Sequence, residues 1–319
     1  MSDLPKRVTI NEDGPREGIQ IEKTRVPTAD KIALIDALSQ TGLAEIQTVS
    51  FVSPKKVPQW NDAEDVVAGL TLRPGVRYTS LYLNARGLDR AIATGRLSIE
   101  GGISLSASSA FLSRNMDMTP ERQRETRREM IALFKANNVP ITKGSVNAAF
   151  GCNFQGDIPL DQLLATLEDV FALAAEADVT LETIGLSDTM GWATPGQVTR
   201  TVGTIRERYP NQSLSLHLHD TRGMAIANAQ AGLEMGVSDF DTSVGGLGGC
   251  PFAAHKGAAG NLCTEDFVFL CEEAGIETGI DFNALIEASV LAERIVGHPL
   301  PGSVRKGGSL HTIRAGLGQ

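Results

Sequence analysis

The segment "SLSLHLHDT" (213–221) alternates leucine with serine and then with histidine before it runs into a polar turn. Alternation of that kind is the pattern of a strand with one face in an apolar layer. Comparable runs recur as "KRVTINEDG" (6–14), "AEIQTVSFVS" (44–53), "VRYTSLYLN" (76–84), "SIEGGISLSAS" (98–108), "PITKGSVNAAFG" (140–151), "VTLETIGLSDT" (179–189) and "SDFDTSVGGLGG" (238–249). Helical patterns lie between them, for example at 27–42, 119–138, 159–178, 194–210 and 223–236. The first opens with Thr28 ahead of a 3.6-residue apolar rhythm and stops at Gly42, as a helix should. Strands alternating with helices imply a parallel sheet covered by helices, and eight strands are the number that closes a barrel. No Pro/Gly/Ser-rich linker divides the chain near its middle. The expected α/β architecture is therefore one (β/α)8 TIM barrel over residues 1–264, with C-terminal helices and a tail over 265–319 packed on the same domain.

The net charge of −9 over 319 residues argues against a surface made for nucleic acid or anionic lipid, both of which need a basic field. No apolar run has the length of a signal peptide or a membrane span, so the expected setting is cytoplasmic. The four cysteines, Cys152, Cys250, Cys263 and Cys271, are too irregularly spaced for a disulfide framework and are read as thiols.

In a (β/α)8 barrel, chemistry belongs at the C-terminal strand ends. His217 and His219 share one face of the seventh strand and can converge on one metal ion. The plainer alternative is two interior histidines bonded to their neighbours. The first strand ends in "NEDGPREGIQ" (11–20). Glu12 and Asp13 there read as solvated loop charges, whereas Arg16 and Glu17 face the other strand outlets. A carboxylate, two imidazoles and water suit Mg or Mn, and Zn is tolerated. Arg16 would bring fixed positive charge to an enolate or alkoxide oxygen. The glycine-rich outlet of the eighth strand carries Cys250, which is read as a catalytic acid/base, and His255, which is read as a surface residue.

The motifs "GPREGIQ", "SFVSPKKVPQ", "LSDTMGWATPG", "HLHDTRGMAIAN" and "GGLGGCPFA…GNLCTEDFV" together resemble the 3-hydroxy-3-methylglutaryl-CoA lyase family. These are metal-dependent TIM-barrel lyases related to isopropylmalate synthase, and the resemblance runs over about residues 8–297. It implies cleavage of a 3-hydroxyacyl-CoA into acetyl-CoA and a keto acid, and an assembly of two or more copies. By position it implies metal ligation by His217, His219 and Asn261 together with the carboxylate of Glu17, and catalytic roles for Arg16, Cys250 and Asp188. It places Ser50, Ser108 and Lys23 against the acyl-CoA substrate. Three positions depart from the family pattern. Glu17 stands where the family has Asp, and Gln47, counted with the substrate-binding residues, stands where it has Glu. Ser109 stands where an acidic residue is common. A lyase of the same mechanism acting on citramalyl-CoA, and a non-catalytic acyl-CoA-binding barrel, are the alternatives.

Overall fold

The computed structural model describes residues 4–248 and 260–317. The eight expected strands form as β1 (Thr9–Glu12), β2 (Glu45–Ser50), β3 (Arg77–Leu81), β4 (Gly101–Ser106), β5 (Ile141–Asn147), β6 (Thr183–Ser187), β7 (Ser213–His217) and β8 (Asp239–Thr242). They make one sheet in the order β3-β2-β1-β8-β7-β6-β5-β4, with every ladder parallel. The first and last strands are neighbours, paired from Thr9 with Asp239 to Glu12 with Thr242. The sheet thus curls into a TIM barrel whose one seam lies between β3 and β4. Instead of a ladder, the Ser98 N–H donates to the Tyr78 carbonyl at 2.8 Å there, and Arg77 pairs with Glu100 at 2.5 Å.

The two faces of the sheet differ chemically. Ile10, Ile46, Ile103, Val146, Ile184, Leu216 and Phe240 are buried in the apolar layer, which is what drives the helices onto the barrel. The interior is polar instead of being filled by branched aliphatics. Lys143 of β5 lies 3.7 Å from Glu45 of β2, and since those strands are not neighbours, the contact crosses the barrel.

Helix starts follow local chemistry. The Asn84 side chain accepts from the Gly87 N–H to cap Ala85–Ala93, and Thr194 with Gln197 forms a capping box before Pro195–Arg208. The first helix, Thr28–Leu38, takes Thr28 inside it, and the hydroxyl donates to Asp62 at 2.6 Å. The chain then leaves through Gly42 at φ 93°, where a Cβ would lie 2.4 Å from the Gly279 carbonyl oxygen; only glycine fits that approach. After β8 come the helices Thr264–Glu273, Phe282–Val296, Val304–Gly307 and Leu310–Leu317, and the second of these packs on Thr28–Leu38. No helix among the described residues is long and apolar enough to cross a membrane.

Candidate active site

The outlet of β1 is a single π-helical turn, Gly14–Gly18, a conformation that recurs at functional sites. It is tightly seated. A Cβ on Gly18 would meet Leu247 at 2.5 Å, and the Trp60 indole N–H donates to the Arg16 carbonyl at 3.2 Å. Beneath Trp60 lies the fully buried Lys31, which stacks on the indole at 4.7 Å and pairs with Asp62 at 2.7 Å. The Gln59 amide fastens the following loop, donating to the carbonyls of Glu22 and Thr24.

Two residues of this outlet correct the sequence reading. Glu12 is 0% exposed and Asp13 6%, so neither is a solvated loop charge. Glu12 accepts from the N–H groups of Gly14 and Val244 at 2.8 and 2.9 Å and from the Thr264 hydroxyl at 2.6 Å. It ties β1 to the outlet of β8. Burial, against these hydrogen bonds, pushes its carboxyl up to about 8.

Arg16 and Glu17 project from the turn toward the histidines, as expected. The Arg16 guanidinium donates through Nε to the Gln47 side-chain oxygen, while Nη1 lies 3.0 Å from Glu17 and Nη2 lies 3.5 Å from Asp13. Glu17 Oε1 is 3.4 Å from His219 Nε2 and 3.8 Å from His217 Nε2. Burial opposes ionisation of Glu17, but Arg16 and both histidines outweigh it and hold the carboxyl well below the usual carboxylate range.

His217 ends β7, and His219 lies just beyond, in a bridge with Asn261. Their Nε2 atoms are 3.1 Å apart, so the two imidazoles do converge. Behind them, His217 Nδ1 bonds Asp241 at 3.2 Å, and Asp13 Oδ2 is 3.8 Å from the same nitrogen. Burial lowers the His217 pKa, but Glu17, Asp241 and Asp13 together raise it to about 9. Burial raises Asp241 as well, but the hydrogen bond and charge of His217 win and keep it low. Asp13 is pushed up to about 7 by burial and by Asp241, against Arg16 and His217. Sequence reading passed over Asp241 and its holder Asn11, whose amide donates to Asp239 at 2.8 Å and Asp241 at 3.0 Å. The alternation in "DFDT" (239–242) carried the same signal as the histidine pair and points both aspartates into the barrel.

Asp188 is 1% exposed, with its carboxylate accepting from the N–H groups of Trp192 at 2.7 Å and Ala193 at 3.1 Å; burial raises its pKa. Ser50 is buried at the end of β2. Ser108 is buried and its hydroxyl caps the helix Ser109–Met116 by accepting from the Phe111 N–H. Lys23 is exposed on the loop after the π-helical turn. Cys250 and His255 lie outside the described residues, although the ends of their loop are fixed. A Cβ on Gly260 would meet the Gly248 carbonyl oxygen at 2.2 Å, so the two ends pass in backbone contact.

The donor set fits a divalent cation. One ligand atom each of Glu17, His217 and His219 lies within 4.8 Å of the others, a mixed oxygen and imidazole set. Asn261 is 1% exposed, yet both its amide oxygen and its nitrogen lack a hydrogen-bond partner among the described residues. Buried amides are nearly always bonded, and a cation beside Glu17 and the histidines would satisfy the oxygen. A second trio, Asp13, His217 and Asp241, uses His217 Nδ1, which its bond to Asp241 already engages.

Comparison with known proteins matches residues 7–291 to the family model described as HMGL-like. The chain is 37% identical over 302 residues to hydroxymethylglutaryl-CoA lyase YngG of Bacillus subtilis, covering 93% of this chain and 96% of that one. It is 39% identical over 288 residues to the mitochondrial hydroxymethylglutaryl-CoA lyase of Homo sapiens, covering 90% and 85%. A solved HMG-CoA lyase of Acinetobacter baumannii, in complex with coenzyme A and 3-methylmalate, superposes with a TM-score of 0.84 at 39% identity, covering 97% of each chain.

Proposed function

The chain belongs to the HMGL-like family, and from that premise we propose that it is a carbon–carbon lyase that cleaves 3-hydroxy-3-methylglutaryl-CoA to acetyl-CoA and acetoacetate. The observation that carries this reading is the convergence of Glu17, His217 and His219 beside Arg16 at the barrel's C-terminal mouth, with the buried Asn261 bridged to His219. These four residues are the proposed ligands of a divalent cation, with Mg or Mn the metals that suit them and Zn tolerated. When bound, such an ion supplies Lewis-acid polarisation of a substrate oxygen.

The chain's own residues would do the rest. Arg16, held from one side by Gln47, presents its guanidinium where negative charge grows on the thioester oxygen as the C–C bond breaks. Asp188 spends both carboxylate oxygens on backbone N–H groups, which fits a part in holding the loop before Trp192 rather than in taking the hydroxyl proton. Cys250 is the proposed donor of a proton to the enolate carbon, supported by its place on the loop that starts from Gly248 and returns to Asn261. Gln47, Ser50 and Ser108 would line the acyl group's site, and exposed Lys23 would meet an anionic part of coenzyme A. The proposed setting is the cytoplasm, and the proposed assembly is a dimer or larger.

Gln47, where the family has Glu, favours one second reading, the same cleavage of citramalyl-CoA. Both are separated by measuring acetyl-CoA release from purified protein offered each thioester in parallel with Mg or Mn. Cleavage of 3-hydroxy-3-methylglutaryl-CoA at the higher kcat/KM supports the first reading. Preference for citramalyl-CoA transfers the assignment to the second, and no release from either overturns both.

A further inference from the structure

The three nitrogens of Arg16 face three different side chains: Gln47 at Nε, Glu17 at Nη1 and Asp13 at Nη2. The three neighbours are not equivalent. Glu17 also faces both histidines through its other carboxylate oxygen, and so belongs to the cation. Gln47 is neutral. Asp13 is thus the one carboxylate beside the guanidinium that the cation site does not need. It is anchored independently, because its N–H donates to the Thr242 carbonyl at 2.8 Å and its carbonyl accepts from the Glu17 N–H at 2.8 Å. The oxygen that faces Arg16, Oδ2, is also the one 3.8 Å from His217 Nδ1. One oxygen atom therefore faces both the arginine and the histidine proposed as a metal ligand.

We propose that Asp13 is a positioning residue for Arg16, its carboxylate holding the guanidinium in place relative to His217, and that position 47 can supply the same anchor if it carries a carboxylate. The second clause follows from the geometry. Gln47 already places its side-chain oxygen on Nε, so a glutamate there would put a charged oxygen in the same place without lengthening the side chain. Charge-assisted bonds to a guanidinium are roughly twice as strong as neutral ones. Asp13 faces His217 at Nδ1 and not at the Nε2 that meets His219, so its effect passes through Arg16.

This inference rests on the lyase reading, and the experiment is chosen so that the two fail differently. Asp13→Asn, Gln47→Glu and the double variant are compared with the wild-type protein under one set of conditions. Three readouts are taken: steady-state thioester cleavage, Mn2+ titration, and the 15N–1H signal of Arg16 Nε. Misplacing a charge-stabilising group costs on the order of 10- to 100-fold in turnover, so Asp13→Asn should lower kcat by about that factor. Its KM should change less than kcat and its Mn2+ affinity should hold within about threefold, below what loss of a ligand's supporting partner causes. The Arg16 Nε–H signal should shift, and Gln47→Glu should restore both signal and turnover in the double variant. A fold defect in Asp13→Asn would not be repaired from another strand, so absence of rescue overturns the proposal, as does an unchanged Arg16 signal in Asp13→Asn. If the wild-type protein cleaves no thioester, the lyase reading fails while the Arg16 signal still decides the anchoring.

Discussion

The barrel interior carries two charged clusters, one at each end, and they are built on opposite rules. At the floor, Arg77 pairs with Glu45 at 3.1 Å and Glu100 at 2.5 Å, and Lys143 lies 3.7 and 3.8 Å from the same two carboxylates. Two cations meet two anions. At the mouth, Asp13, Glu17 and Asp241 crowd one arginine and two histidines, and the buried Asn261 amide and His219 Nδ1 have no partner among the described residues. The floor's charges are paired with one another, whereas the mouth's donor set fits a divalent cation. Paired charges of the first kind serve the fold, and unsatisfied ones of the second kind mark the place where a protein does chemistry.

The largest expected effect comes from breaking the mouth. His219→Ala should lower Mn2+ affinity by ~10²-fold or more, as loss of a ligand exceeds the 10- to 100-fold seen for its supporting partners, and should leave little turnover with the fold intact by circular dichroism. Arg16→Gln comes next. It should retain Mn2+ binding but lower kcat by ~10²- to 10³-fold, the usual loss when one oxyanion donor is removed. A variant with normal kcat would take Arg16 out of the chemistry.

Glu12 separates stability from catalysis within the mouth. Its carboxyl stays protonated in the folded chain up to about 8 but ionises near 4.5 when exposed on unfolding. The folded state therefore holds the extra proton between those values, so Glu12's contribution is full below about 4.5 and is lost as pH rises through about 8. Glu12→Gln should remove that part of the slope in urea titrations run from pH 5 to 9, and a slope identical to wild type would show that Glu12 is ionised throughout. The smallest effect belongs to the floor. Glu100→Gln breaks pairs with Arg77 and Lys143, whose side chains are 45% and 41% exposed, so it should cost no more than ~1 kcal/mol and leave kcat unaltered.

The difference between the two ends also governs what could be read from sequence. All eight strands were legible, because each alternates and each is bounded by turn residues. The histidine pair was legible for the same reason, and Arg16 and Glu17 stood out in a glycine and proline turn. Glu12 and Asp13 were not, since a charged residue in such a turn is usually solvated. What buries Glu12 is the approach of Val244 and Thr264, more than 230 positions away in the chain, and Asp13 faces His217, likewise far along the chain. The floor network was hidden likewise, because Glu45 and Lys143 meet only across the closed barrel. The hydrogen bonding of Asp188 was not legible either, since it depends on how the chain turns at Trp192.

The most direct test is to strip the protein with a chelator and titrate Mn2+ back, following bound metal and acetyl-CoA release from 3-hydroxy-3-methylglutaryl-CoA in the same samples. One Mn2+ per chain should restore turnover in proportion to occupancy, and His219→Ala should recover neither binding nor turnover over the same range. Full turnover in the stripped protein, or Mn2+ binding that is as tight in His219→Ala as in wild type, would contradict the assignment of the mouth as the metal centre.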